Sequence, residues 1–130
     1  DVATAAQQLF DAVRNLEKGQ LLIAGGEPTV ERRGNGRGGR CTELAARIAL
    51  LALEAGETNF DALFGSSDGV DGTSGCAGII MKGVPHIDRA WAEAELSRSN
   101  SLAVAVAAGE AIRIPPTGNN LRDLYILARR

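Results

Sequence analysis

Glu31-Arg32-Arg33-Gly34-Asn35-Gly36-Arg37-Gly38-Gly39-Arg40-Cys41-Thr42-Glu43-Leu44 is a basic, glycine-dense run that passes straight into an apolar helical pattern. From Thr42 to Ala55, Leu44, Ile48, Leu51 and Ala55 fall on one face, widened by Ala45, Ala49 and Ala52. So broad an apolar face packs against a sheet. A glycine loop that opens a sheet-packed helix points to an α/β domain and suggests an anion cradle. The glycines let the backbone take positive φ and approach a ligand. The first helical amides carry partial positive charge, and Arg37 and Arg40 add full charges. The opposing reading is a glycine-rich surface loop whose arginines are merely solvated.

Two nucleotide-binding fingerprints nearly fit. Gly34-Asn35-Gly36-Arg37-Gly38-Gly39 satisfies G-x-G-x-x-G, but no acidic residue follows a second strand to hold a ribose, because Asp61 stands at the head of its strand rather than after it. Gly34 to Cys41 has the outline of a phosphate-binding P-loop. However, Arg40 stands in place of its lysine and Cys41 in place of the magnesium-binding hydroxyl.

Outward from this stretch, the apolar period of Val2, Ala5, Leu9, Val13 and Leu16 predicts a helix over Val2 to Lys18, closed by Gly19. Gln20 to Ala24 and Pro28 to Arg33 read as two strands of a hairpin joined at Gly25-Gly26. Gly56 ends the second helix, and Asp61 to Gly65 reads as a buried strand that delivers Ser66-Ser67-Asp68 at its carboxyl end, the edge where α/β sheets bind ligands. Asp68 and Asp71 then lie in a second glycine-punctuated loop. They could hold magnesium through water or orient a hydroxyl, or each could close an Asx turn on its own loop amides. Ala77 to Met81 is too short for periodicity to decide between strand and helix. His86 to Leu96 reads as a helix with Ile87, Trp91 and Ala94 inward, and His86 as a cap or surface residue. Ser101 to Ala108 reads as helix between Asn100 and Gly109, Ala111 to Ile114 as a strand, Pro115 to Asn120 as a rigid turn, and Asp123 to Ala128 as a final strand.

The chain has 130 residues, 45% of them apolar and 23% charged, which fits one globular domain with its own core. Only five residues are aromatic, so Leu, Ile, Val and Ala must fill that core. A net charge of -2 argues against bulk binding to nucleic acid or anionic membrane. Cys41 and Cys76 are far apart in sequence and from His86, which is no zinc pattern, and they read as reduced thiols of a cytoplasmic protein. No eighteen-residue apolar run is present. The start at Asp1 without methionine reads as a fragment or processed chain.

Ile23-Ala24-Gly25-Gly26-Glu27-Pro28-Thr29-Val30, Gly34 to Arg40 with Glu43-Leu44-Ala45, Ser67-Asp68-Gly69-Val70-Asp71-Gly72, and Pro116-Thr117-Gly118-Asn119-Asn120 with Asp123-Leu124 together resemble the MOFRL domain. This is the C-terminal domain of glycerate 2-kinases, many of which are also labelled hydroxypyruvate reductases. The motifs occur in order over nearly the whole chain. The resemblance implies a single α/β domain with a mixed sheet layered by helices in three layers. It implies as partner a larger N-terminal Rossmann-like kinase domain, with the active site in the cleft between the two. ATP and magnesium are the implied cofactors, glycerate the small anionic substrate, and an oligomer is left open.

By the same analogy Gly25, Gly26, Glu27, Gly36, Arg37, Gly38, Gly39, Asp68, Asp71, Thr117 and Asn119 would line the substrate and phosphate site, and Arg40 would be catalytic or phosphate-binding. The chain departs from the family at Cys41-Thr42 (usually Asn-Gln), Ser66-Ser67 (Gly-Thr) and Ile114-Pro115 (Thr-Gly). Loss of an amide at position 41 would weaken substrate hydrogen bonding, because a thiol is a poor donor. The resulting expectation is one wall of a glycerate kinase site, inactive alone. A stand-alone anion or sugar-phosphate binding module and a purely structural use of the glycine loops remain the alternatives.

Overall fold

In the computed structural model, which describes residues 1–130, the chain runs α1 (Val2–Arg14), β1 (Leu21–Gly26), α2 (Arg40–Ala55), β2 (Phe60–Ser66), β3 (Gly78–Lys82), α3 (Arg89–Ser97), α4 (Ser101–Ala108), β4 (Glu110–Ile112) and β5 (Asp123–Arg129). One sheet has the strand order β1-β5-β2-β3-β4, and every neighbouring pair is antiparallel. The last strand is therefore inserted between the first two, and both ends of the chain are tied into one structure.

Strand alternation assigns the faces. Phe60, Ala62 and Phe64 of β2, Ile79 and Met81 of β3, and Tyr125 and Leu127 of β5 are all buried. The register sets Ala62 between Leu127 and Met81, and Phe64 between Tyr125 and Ile79. Helices cover this face. The alanine-rich side of α2 buries Leu44, Ala45, Ile48, Ala49 and Ala52 in the same core, and α1 buries Val2, Ala6, Phe10 and Val13. The rings of Phe10 and Phe60 lie 6.4 Å apart. On the opposite face Ile23, Ile126, Leu63 and Ile80 fall into one row across four strands, and Leu21, Ile23, Ile80 and Leu124 are exposed.

The α/β class and the single domain hold. The expected mixed pairing is corrected to antiparallel, and the expected helix layers on both faces to one covered face, because α1, α2 and α4 share a core with one side of the sheet, α3 packs on α2 and α4, and the other side carries exposed side chains. The expected strand over Pro28 to Arg33 is also corrected, since these residues form no strand. The Thr29 carbonyl accepts the Val2 amide and the Arg33 amide donates to Ser99 Oγ, so the segment is committed to α1 and the loop before α4, while β1 pairs with β5. Ala77 to Met81 resolves as β3. α3 begins only at Arg89, capped by Asp88, whose carboxylate accepts the Trp91 amide at 2.7 Å. Its buried residue is Ala92, whereas Trp91 and Ala94 are exposed.

Phe10 carries the contact of α1 with the sheet. Phe10→Ala should lower the stability to urea by about 3–5 kcal/mol, the usual range for emptying a buried aromatic site. A loss below about 1 kcal/mol would show that α1 is not docked through this residue.

Candidate functional site

Three segments converge where α2 begins: the glycine loop, the loop between β2 and β3, and the link between α3 and α4. The glycines serve this convergence through space rather than backbone freedom. None of Gly34, Gly36, Gly38 and Gly39 has a positive φ. A Cβ on Gly34 would fall 2.6 Å from the Arg98 carbonyl oxygen, and one on Gly36 would fall 2.5 Å from the Asn100 nitrogen. A Cβ on Gly38 would strike Ser101 Oγ, and one on Gly39 would strike the Asp71 carboxylate.

The loop amides are engaged within the chain. Gly36 donates to the Arg98 carbonyl and Arg37 to Asn100 Oδ1, both at 3.0 Å. Gly38 donates to Thr73 Oγ1 at 3.2 Å and Gly39 to Thr42 Oγ1 at 2.8 Å. At the start of α2, the Cys41 and Thr42 amides donate to the two oxygens of Asp71 at 2.8 and 2.9 Å. Thus the electropositive end of the helix already holds an anion, and it is the protein's own. Burial of Asp71 raises its pKa above the ordinary carboxylate value, against the pull of these amides. The amides of Gly36, Arg37, Gly38, Gly39, Cys41 and Thr42 are thus bonded within the chain rather than open, unlike those of the expected cradle.

Arg37 is likewise committed, with Nε and Nη2 donating to the Thr73 and Ser74 carbonyls, each at 3.2 Å. Arg40 differs. Its Nε and Nη2 donate side by side to Asp123 at 2.7 and 3.1 Å, while the side chain as a whole stays 37% exposed. The Asp123 side chain is 1% exposed and also accepts the Tyr125 hydroxyl at 3.3 Å. Glu27 lies farther from Arg40, at 3.9 Å. The hydrogen bond from Arg40 to Asp123 is the main reason its pKa is raised, so its charge is permanent. Burial of Tyr125, reinforced by the Asp123 charge, pushes its phenol up, so the hydroxyl keeps its proton as a donor.

Of these groups, Arg40 and Glu27 border a polar cleft of about 720 Å³. It brings together Glu27, Gly38, Gly39, Arg40, Asp68 and Asp71, adding Arg32 and Asn120. Gly25 and Gly26 border a neighbouring groove beside α1. Gly36 and Arg37 lie behind the cleft wall, packed on the loops. Thr117 anchors its turn, its hydroxyl donating to the Ser67 carbonyl at 2.6 Å and its amide to the Asp68 carbonyl at 3.0 Å. Asn119 is exposed outside the cleft lining.

Asp68 forms an Asx turn, with Oδ1 accepting Ser66 Oγ at 2.7 Å and the Val70 amide at 2.9 Å. The Ser66 bond is the first reason its pKa is lowered. Because both Asp71 oxygens face helix amides, Asp68 and Asp71 do not fit as a paired magnesium site. No group of three metal-ligating side chains gathers anywhere in the chain. Cys41 is fully buried in the core, and its thiol pKa is raised first by that burial. Position 41 therefore meets core rather than substrate. A smaller groove among α1, α2 and α3 contains Arg33, Arg47 and Arg89, but each is paired, with Glu31, Glu43, and Glu54 and Glu93 respectively.

Asp123 and Tyr125 were missed as site residues by sequence reasoning. The available signal was a carboxylate in phase with Tyr125 and Leu127, on the side of the strand that faces the core.

Asp71→Ala removes the acceptor of two helix amides and should lower stability by about 1–3 kcal/mol in thermal or urea denaturation. An unchanged melting temperature would show that the helix start does not depend on Asp71.

Comparison with known proteins gives a consistent relationship. The MOFRL family profile matches residues 20–123. The chain is 38% identical over 129 residues to the D-glycerate 2-kinase of Thermotoga maritima, covering 96% of this chain and 30% of that protein. It is 50% identical over 64 residues to the glycerate kinase of Danio rerio, covering 48% and 12%. The crystal structure of glycerate kinase from Thermotoga maritima superposes with a TM-score of 0.81 at 30% identity, over all of this chain and 34% of that one. The chain thus spans about a third or less of the length of these relatives.

Proposed function

The chain belongs to the MOFRL family, and from that membership and the cleft geometry we propose that it supplies one wall of an interdomain site for ATP-dependent phosphorylation of glycerate, with Arg40 meeting the phosphoryl group. One observation carries the assignment to Arg40. Two of its donors are fixed on a buried carboxylate, while its outer edge is exposed at a polar cleft.

Phosphoryl transfer suits such a group. The attacking glycerate oxygen bonds to the terminal phosphorus of ATP as the bond to the ADP oxygen breaks, and the hydroxyl proton is released. Little covalent work falls to the protein, whose task is to position the reactants and neutralise charge on the equatorial oxygens. A planar fork with fixed orientation does this without reorganising.

The cleft also explains why this wall would be insufficient alone. Glu27, Glu43, Asp68 and Asp71 line it against only Arg32 and Arg40. An acidic excess repels a triphosphate, so further positive charge must come from the metal of the nucleotide and from the partner domain. The predicted behaviour of the isolated chain with ATP, magnesium and glycerate is no turnover. Steady product formation by the chain alone would overturn the half-site reading.

The positive test is a chimera in which this chain replaces the matching C-terminal part of the Thermotoga maritima D-glycerate 2-kinase. ATP-dependent glycerate phosphorylation is expected, and Arg40→Lys should reduce it by ~10²-fold, the scale for losing a preorganised donor to transition-state charge. Equal activity of the Arg40→Lys chimera would remove Arg40 from the chemistry.

A further inference from the structure

We infer that Asp123 is the positioning residue of this site: it fixes the plane of the Arg40 guanidinium and keeps its outer edge directed into the cleft, with the Tyr125 hydroxyl steadying the carboxylate. The inference rests on the proposed role of Arg40.

Its first support is burial. A carboxylate taken out of water needs strong partners. Asp123 has three donors: Arg40 Nε, Arg40 Nη2 and the Tyr125 hydroxyl. It sits at the end of a central strand, opposite Gly26 on one side and Ser66 on the other. The acceptor is therefore anchored in the sheet rather than carried on a loop.

The second support is that the start of α2 does not need this pair. Its Gly39, Cys41 and Thr42 amides are already held by Thr42 and Asp71 side chains, so the geometric consequence of Asp123 falls on the Arg40 side chain. An arginine that is free to rotate samples many rotamers. Here the competing positions are unproductive, because Glu27 already lies 3.9 Å from Nη2 and Asp68 feels the Arg40 charge. Without Asp123, these rim carboxylates would draw the guanidinium sideways and occupy the edge that should meet the phosphoryl oxygens. The two parallel bonds to Asp123 leave Nη1 and the second Nη2 hydrogen for the cleft.

The test has two independent arms. In the first, Nε–H exchange and 15N relaxation of Arg40 are measured by NMR on this chain. The wild type should show a slowly exchanging, rigid Nε–H. Asp123→Asn, which offers one acceptor and one opposing donor, should release it, with exchange at least roughly tenfold faster and increased side-chain motion. Tyr125→Phe should loosen it only slightly. If Asp123→Asn does not fold, Asp123→Glu reads the same signal, because its added methylene displaces the fork. An Arg40 Nε–H as protected and rigid in the folded Asp123 variant as in the wild type overturns the inference.

The second arm uses the kinase chimera in a double-mutant cycle. Asp123→Asn should lower kcat by roughly tenfold or more with little change in KM, as expected for a misaimed group that acts in the transition state. It should add almost nothing in the Arg40→Lys background, since both changes remove one interaction. Additive losses would mean that Asp123 acts structurally rather than through Arg40, and would also overturn the inference. If the NMR arm holds while Arg40→Lys leaves kcat intact, the positioning stands and the kinase role of Arg40 fails.

Discussion

The structure around the cleft depends on one internal anion, the Asp71 carboxylate at the amino end of α2. A helix begins with unpaired amides and a partial positive charge, and Asp71 meets both from another loop, 2.8 and 2.9 Å from two successive amide nitrogens. The interaction joins the loop between β2 and β3 to the glycine loop before α2. Its closeness is why residue 39 must be glycine, since a Cβ there would strike that carboxylate. Gly72 is drawn into the same knot, at φ 54 and pressed onto the Gly38 carbonyl, a backbone conformation that favours glycine. The glycine density is a packing requirement at a three-loop junction.

With those helix amides occupied, an anion in the cleft would have to be met by side chains rather than by that backbone. An amide nest binds anions through many weak fixed dipoles, whereas an arginine offers one full charge whose value depends on how firmly it is aimed. The architecture is consistent with the second solution. Arg40 is on the first residue of a capped helix, Asp123 is at the end of a central strand, and the bonds between them join the helix layer to the sheet. The site is therefore as rigid as the contact between the two layers.

Much of this was legible in the sequence, and the parts that were not share a cause. α2, α4, β2 and β5 follow from local periodicity and from Gly56, Asn100 and Gly109 at helix boundaries, because these signals lie within the element they specify. The pairing of β1 with β5 rather than with residues 28–33 was hidden, since strand partnership is decided by contacts about a hundred residues apart, while Thr29 and Val30 supply β propensity without a partner. Trp91 shows a similar failure. Its size suggested core, but α3 buries the small Ala92 against its neighbours and leaves the indole at the surface. The position of Arg40 could be read from the loop it ends; Asp123, more than eighty residues later, could not be linked to it without the fold.

The departure at Cys41 has a different meaning in three dimensions from the one it has in sequence. Replacement of an amide by a thiol beside a phosphate-binding motif suggests a damaged site, yet Cys41 contributes only its backbone N–H to the knot and turns its sulfur into the core. Thr42, the second departure, accepts the Gly39 amide on its hydroxyl oxygen, which lies 2.9 Å from Ser101 Oγ. That contact clamps the glycine loop to the start of α4. Both substitutions thus act on packing and on the loop junction behind the cleft wall. Arg40, which faces the cleft, is fixed instead by Asp123. Under the proposed role, competence for phosphoryl transfer would turn on the Arg40–Asp123 pair rather than on an amide at position 41.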